Sequence, residues 1–155
     1  DKTVLFTTTN GTRALEHCRE AQRVLVGAFV NLSAIVRTLQ SSDRPLHLVC
    51  AGTDDHITSE DALYAGAIVR RLQYSPASVP LELNDEARMA ADLFARHGQG
   101  TSHLLDALRA SRGGRNLVRL GYDNDITRAA DIDLFDIVPQ YDPHGRSITP
   151  AVHAG

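Results

Sequence analysis

The chain has 155 residues, 43% hydrophobic and 23% charged, with a formal net charge of −3. That length suits one domain with a core of its own, and the composition excludes a disordered chain or a strongly basic polymer-binding one. No apolar run approaches the ~20 residues that cross a bilayer and no signal-peptide pattern is present, so neither membrane nor nucleic acid is expected among the partners.

In chain order, residues 3–8, 24–30 and 46–51 are short apolar runs rich in valine and leucine, the pattern of strands covered on both faces. Between the first two runs, Ala14, Cys18 and Ala21 recur at i, i+4, i+7 and predict a helix. Leu32, Ile35, Val36 and Leu39 predict another before the third run. Strand and helix alternating at this spacing predict right-handed βαβ units on a mainly parallel sheet. A third helix is expected over about 58–73, opened by the capping box Thr58-Ser59-Glu60-Asp61 and stopped by Tyr74-Ser75-Pro76. A loop follows over 75–80.

From residue 84 the pattern turns helical. Asn84 is placed to cap a helix in which Met89 and Leu93, and Ala90 and Phe94, pair at i, i+4; Gly98 and Gly100 end it. Thr101 or Ser102 caps the next, which carries Leu104, Leu105 and Leu108. Gly113-Gly114 reads as a break, and a short helix through Leu117, Val118 and Leu120 stops at Gly121. Asp125 is a further cap candidate. Phe135-Asp-Ile-Val-Pro139 reads as a returning strand and Arg146-Ser-Ile-Thr149 as a last edge strand. The fold expected is α/β: a mainly parallel sheet with βαβ units, then a helix-rich segment and a returning strand.

One α/β domain is expected over residues 1–149, with a loose tail at 150–155. Asp1-Lys2, followed almost at once by a strand pattern, reads as the C-terminal portion of a longer protein. Cys18 and Cys50 lie among apolar neighbours and are expected to be free core thiols. A chain without a disulfide framework is expected in the cytoplasm.

Thr7-Thr-Thr-Asn10-Gly11-Thr12-Arg13 admits two readings. Asn-Gly between apolar runs is a hairpin signal. The helical period that follows favours a strand, a tight turn and a helix N-terminus, whose free N–H groups attract an anion. There Gly11 lets backbone approach a ligand and Thr9 and Thr12 offer hydroxyl donors beside Asn10. Arg13 offers a planar fork to phosphate or sulfonate. Plain turn and cap chemistry is the alternative. Asn31, at the end of the second run, is either a bare N-cap or a second polar group facing the crevice of Asn10. Ligands of open α/β sheets gather outside the carboxyl ends of strands.

The third run ends in Cys50-Ala-Gly-Thr-Asp-Asp-His-Ile-Thr-Ser-Glu-Asp61, which places Asp54, Asp55, Glu60 and Asp61 within eight residues. Such oxygen ligands suit Mg²⁺ or acid–base work. Turn chemistry at Asp54 and Asp55, and the helix dipole at Glu60 and Asp61, also account for them. Asp123-Asn-Asp125-Ile-Thr127 opens like an EF-hand loop but has Arg128 where glycine is required and Leu134 where the last glutamate belongs. Ser111-Arg-Gly-Gly-Arg115 is basic and flexible, and reads either as an ordinary turn or as a contact for a substrate anion. The seven histidines show no paired-ligand spacing, and no Walker A pattern, dinucleotide glycine pattern or Gly-x-Ser-x-Gly elbow occurs.

Six stretches, in their order and spacing, resemble the 2-phosphosulfolactate phosphatase family over roughly residues 3–148. They are Thr8-Thr-Asn-Gly-Thr-Arg13, Gly27-Ala-Phe-Val-Asn31, Ala51-Gly-Thr-Asp54, Glu60-Asp-Ala-Leu-Tyr-Ala-Gly-Ala-Ile-Val69, Leu117-Val-Arg-Leu-Gly-Tyr122 and Phe135-Asp-Ile-Val-Pro139. The resemblance implies a Mg²⁺-dependent phosphatase that converts 2-phosphosulfolactate to sulfolactate, a step toward coenzyme M. Two departures stand out. The family pattern has Asp-Gly after Gly-Thr, where this chain has Asp54-Asp55. Members also carry a strand–helix region ahead of the Thr-Thr-Asn-Gly-Thr segment that this chain lacks.

The function expected is therefore hydrolysis of a small phosphorylated sulfonate or carboxylate. Thr9, Asn10, Gly11, Thr12 and Arg13, with Asn31, hold its anionic groups. Asp54 and Glu60 hold Mg²⁺, and Asp54, Glu60 or Asp61 orients or deprotonates the attacking water. The Asp-x-Asp pattern of aspartyl phosphatases is absent at a strand end, which favours water over a phospho-enzyme. The rival expectation is a non-catalytic, anion-binding or structural portion of a larger enzyme. The partners expected are a small anionic substrate and a second copy in a homodimer.

Overall fold

The computed structural model describes residues 2–75, 80–98 and 100–151. Among the described residues it holds seven α-helices, one 3-10 turn and three short strands. These are α1 Gly11–His17, β1 Val24–Leu25, the 3-10 turn Phe29–Asn31, α2 Leu32–Gln40, α3 Ser59–Gln73 and α4 Asp85–His97. There follow α5 Thr101–Ala110, α6 Arg112–Leu120, α7 Asp123–Ala130, β2 Pro139–Asp142 and β3 Ser147–Pro150.

The helices form where periodicity and end chemistry agree. α3 buries Leu63, Ala67 and Ile68. Its Glu60 and Asp61 sit in the first turn and Arg70 and Arg71 in the last, which complements the helix dipole at both ends. Asn84 caps α4 as expected, its Oδ1 accepting from the Ala87 N–H at 2.9 Å. Ser111 explains why Gly113-Gly114 is not a break. Its Oγ accepts from the Gly114 N–H at 2.9 Å and donates to Leu108 O at 2.7 Å, so it closes α5 and opens α6 with both glycines inside the new helix. Gly121, at φ 82°, then stops α6. The caps of α5 and α7 are Gly100 and Tyr122, one to three residues ahead of the expected Thr101 or Ser102 and Asp125.

These faces meet in one core. Leu32, Leu63, Leu104 and Val138 are its largest fully buried side chains, joined by Phe29, Ile35, Ile68, Leu108 and Ile126. Burying one such side chain is worth about 1.5–3 kcal/mol. The Phe29 ring stacks on Phe94 at 6.3 Å and meets Tyr64 edge-on at 5.3 Å, which ties the 3-10 turn to α3 and α4.

The sheet corrects the sequence reading. It is antiparallel, in the order β1-β2-β3, with Val24 opposite Tyr141 and Tyr141 opposite Ile148. Among the described residues no parallel sheet of βαβ units is formed. Residues 3–8 and 46–51 have no ladder partner among the described residues, and Val4, Leu5 and Phe6 lie exposed. An apolar, β-branched run marks extended backbone, but which edge it joins depends on distant residues. The second run shortens to two paired residues because the chain turns at Phe29–Asn31. The returning strand begins at Pro139, where its expected span ended. The last strand falls within a residue of the expected Arg146–Thr149. Pro150 belongs to β3 and the Ala151 N–H donates to Val138 O at 2.7 Å, so pairing runs into the expected tail. Residues 152–155 of the expected tail and residues 76–79 of the expected loop lie outside the described residues.

Neither cysteine is a core residue. Cys18 is half-buried at the end of α1, which stops before Ala21, and Cys50 is exposed; both are free thiols. No helix among the described residues is long and apolar enough to cross a membrane.

Candidate functional site

The Thr7–Arg13 stretch ends in a helix, as the non-hairpin reading expects, although no paired strand precedes it. Two of its threonines serve the turn itself. The Thr8 N–H donates to Thr12 Oγ1 at 3.2 Å and the Thr12 N–H donates to Thr8 Oγ1 at 3.3 Å. Thr9 is exposed. α1 places Arg13 and His17 four residues apart on one face, and that face borders a hollow of about 110 Å³. The hollow is lined by Asn10, Arg13, Ala14, His17, Val49, Cys50, Ala51 and Asp55. The ends of the first and third apolar runs therefore border one hollow, without being strands of one sheet.

Across the hollow lies a tight turn. Thr53 and His56 exchange backbone N–H···O bonds of 3.0 and 3.1 Å. Between them Asp54 and Asp55 have φ of 51° and 61°. Positive φ at both central residues is the pattern of a type I′ turn, which ordinarily prefers glycine at the second of them. The Asp-Gly of the family pattern thus meets its physical reason at Asp55: a left-handed backbone that aspartate tolerates and glycine adopts freely.

Each aspartate holds a guanidinium. Arg13 donates to Asp55 Oδ1 at 3.0 Å, and Arg112, from the first turn of α6, donates to Asp54 Oδ2 at 2.8 Å and to Thr53 O at 3.3 Å. Asp54 is thereby one residue removed from the hollow that its neighbour lines. Both pairs are well exposed, and such pairs contribute only about 0–1 kcal/mol to stability.

The other acidic candidates separate. Asp61 Oδ2 accepts from the Gly52 N–H at 2.7 Å and so anchors the turn to α3. Glu60 is half-buried, and its Oε2 is a buried atom with no hydrogen-bond partner. It lies against the first turn of α6: a Cβ added at Gly113 would sit 2.5 Å from Glu60 Oε1, so glycine there makes room for the carboxylate. Thr58, the N-cap of α3, is also buried with an unpartnered hydroxyl, so the expected capping box does not close although the helix starts where it predicts. Among the described residues no group of three His, Cys, Asp or Glu side chains is gathered for a metal ion.

Asn31 lies away from the hollow. Its Oδ1 accepts from the Ala28 N–H at 2.8 Å, and its Nδ2 donates to Val26 O at 3.3 Å and Ile137 O at 3.0 Å. All its polar atoms are spent joining the β1 strand end to the segment before β2. Asn31 does stand at the N-cap position of α2, as one of its two readings expects, but its side chain makes this cross-link and not a cap bond, and it does not line the hollow. Asp123 is likewise accounted for: its two oxygens accept from Arg109 at 3.0 and 2.8 Å, which holds the carboxyl below the usual range.

His17 and Cys50 line the hollow although the sequence reading gave neither a role there. The first shows in its i, i+4 spacing from Arg13, and the second is the last residue but one of the third apolar run. Desolvation by the surrounding atoms, and then the Asp61 charge, push the Cys50 thiol up, the opposite of the shift that activates a nucleophilic cysteine. A larger hollow of about 500 Å³ is lined by Arg109, Arg115, Val118 and Arg119, with no carboxylate or imidazole among the described residues that line it.

A model of the family described as 2-phosphosulpholactate phosphatase matches residues 1–144. Three proteins each named probable 2-phosphosulfolactate phosphatase are among its relatives. That of Caldanaerobacter subterraneus subsp. tengcongensis is 36% identical over 90% of this chain and 55% of its own length. That of Symbiobacterium thermophilum is 37% identical over 89% and 57%, and that of Thermotoga maritima 38% over 89% and 56%. The chain spans a little over half the length of these relatives. On the match along nearly all of its own length, the chain belongs to the 2-phosphosulfolactate phosphatase family.

Proposed function

We propose that this chain carries a phosphomonoester-hydrolysing site that acts with Mg²⁺ on a small phosphorylated sulfonate or carboxylate in the cytoplasm. 2-Phosphosulfolactate is the first substrate to test, since the relatives are named for it. The single observation that carries the reading is the hollow in which Asn10 and Arg13 face Asp55, beside Asp54. Its volume suits a phosphoryl or sulfonate group.

In this reading Arg13 grips the anion with its planar fork and Asn10 contributes a neutral donor. Asp54 accepts the proton of the attacking water, whose oxygen bonds to phosphorus as the bond from phosphorus to the alcohol oxygen breaks; the alcohol leaves with a solvent proton. Asp61, held by Gly52, keeps the turn in place. Mg²⁺ is bound by as few as one or two carboxylates, with waters and phosphate oxygens completing the shell. Glu60 fits that need, because a buried carboxylate oxygen without a partner is unfavourable until something positive meets it. Asp54, with one oxygen outside the Arg112 bond, is the proposed second ligand. When bound, the ion offsets charge on the phosphoryl group. A homodimer is proposed as well, for sedimentation velocity to test.

The experiment is phosphate release by the purified chain from 2-phosphosulfolactate and from p-nitrophenyl phosphate, with and without Mg²⁺. Arg13→Ala, Asp54→Asn and Glu60→Gln are each expected to lower kcat/KM by about 100-fold or more, with unchanged circular dichroism. Full rates in the Arg13 and Asp54 variants overturn the site. No turnover by the unaltered chain, with sulfate still bound near Asn10, favours the anion-binding rival.

A further inference from the structure

The larger hollow is bounded by the last turn of α5, which supplies Arg109, and by α6, which supplies Arg115, Val118 and Arg119. It shares no described lining residue with the hollow at the aspartate turn. Its three arginines differ in what they hold. Asp123 takes Arg109 through bonds of 3.0 and 2.8 Å. Arg115 donates to Ala110 O and Arg119 to Asn116 Oδ1, both neutral oxygens, and neither is ion-paired among the described residues. Arg115 and Arg119 thus leave two uncompensated positive charges on a chain whose net charge is −3. Helix stability does not account for the pair. The dipole favours Arg119 in the last turn, but Arg115 four residues earlier repels it, and Arg112–Leu120 has no acidic side chain to offset them. Their guanidinium faces are open as well. Arg70 and Arg128 lie over the rings of Tyr74 and Phe135, at 4.4 and 5.9 Å, whereas no described ring covers Arg109, Arg115 or Arg119. Val118, itself exposed, adds an apolar patch to the same wall.

We propose that this hollow binds a small aromatic phosphate of mononucleotide size, as a second ligand site separate from the aspartate turn. Arg115 and Arg119 meet the phosphate with paired, charge-assisted donors. The ring of the ligand lies against a guanidinium face and Val118, a stacking contact that the planar guanidinium makes and a lysine ammonium does not. A hollow of about 500 Å³ is of the size that holds small molecules, and a chain of net negative charge does not draw in a long polyanion. No carboxylate or imidazole is among its described lining residues, so the ligand is held there and not hydrolysed. The site uses none of the residues of the phosphatase reading and stands independently of it. Of the basic stretch Ser111–Arg115, Arg112 serves the aspartate turn and Arg115 serves this second hollow.

Titration calorimetry at low salt, in EDTA, compares AMP with inorganic phosphate and with adenosine, each of which lacks one half of the ligand. AMP is expected to bind at least about 10-fold more tightly than either, because charge-assisted bonds and ring stacking then act together. Arg119→Ala and Val118→Glu, both at exposed positions, are each expected to weaken AMP by about 10-fold or more with unchanged circular dichroism, and Arg115→Ala to do the same. Arg119→Lys keeps the charge without the planar face; it is expected to hold inorganic phosphate within about 2-fold of the unaltered chain while losing most of the preference for AMP. Arg13→Ala, in the other hollow, is expected to leave the AMP affinity within about 2-fold. No binding of AMP, AMP no tighter than phosphate, or an affinity unmoved by both Arg119→Ala and Val118→Glu overturns the proposal. So does an AMP affinity lost in Arg13→Ala, which places the nucleotide at the aspartate turn. Tetraglutamate binding through Arg115 and Arg119 as tightly as AMP assigns the hollow to an acidic peptide and overturns it too.

Discussion

The helices from Ser59 to Ala130 and the outer apolar runs at 3–8 and 46–51 are built from similar residues and end in different states. Leu63 and Leu104 are fully buried, while Leu5 is 98% exposed and Val49 56%. The helices find their partners within a few tens of residues, and α3 lies along α4, the next helix in the chain, with Gly66 close against the Ala90 backbone. The outer runs pair with no strand among the described residues, only Leu48 of them packs against the core, and extended backbone satisfies none of its own polar groups. Burial here follows the availability of a partner more than the hydrophobicity of the segment. The candidate site lies where the two regimes meet, on the turn at 53–56 between an exposed run and the first residues of α3.

That contrast is broken most easily in the helical region. Leu104→Ala removes a fully buried side chain from the centre of the cluster and is expected to cost about 2–5 kcal/mol in urea unfolding, enough to leave much of the chain unfolded. A cost below about 1 kcal/mol means that the helices do not share one core.

The same contrast explains what could be read from the residues alone. The helices were legible because capping, periodicity and stop signals are local: Asn84, Ser59–Gln73 and Gly121 all fall where the pattern places them. Gly113-Gly114 was misread because two glycines weaken a helix, yet the Ser111 cap and the packing beyond them outweigh that loss. Sheet topology was not legible, since a run such as 46–51 specifies an extended chain without naming its partner. At the site, the meeting of Asn10 and Arg13 with the aspartate turn was legible from acids and donors gathering at segment ends. The division of labour among the acids was not. Asp61 goes to Gly52, Asp54 to Arg112 and Asp55 to Arg13, and only three-dimensional contact decides which carboxylate is left over.

Tyr64 sharpens the comparison from inside the core. Its hydroxyl is buried without a partner, and burial, then the Asp133 charge, push the phenol well up. A folded pKa above the unfolded one means that stability is intact below the unfolded value, near pH 10, and declines as pH rises beyond it. Tyr64→Phe removes an unsatisfied hydroxyl and keeps the ring contact with Phe29, so it is expected to stabilise the chain by about 1 kcal/mol and to flatten the alkaline decline. Destabilisation by that amount, seen in urea titrations at neutral pH, assigns the hydroxyl a partner.

The smallest effect is expected in the outer runs. Leu5→Ser replaces an almost fully exposed leucine on backbone that pairs with no described strand, so no packing is lost and the polar side chain meets water. Surface changes of this kind stay within about 0.5 kcal/mol. If burial follows partner availability, Leu5→Ser leaves urea unfolding of this chain unmoved while Leu104→Ala collapses it, although both remove a leucine side chain. A Leu5→Ser cost above about 1 kcal/mol requires the first run to be packed in solution, either on this chain or on a second copy. Repeating the titration at ten-fold lower protein concentration tells the two apart, because only association makes the cost depend on concentration.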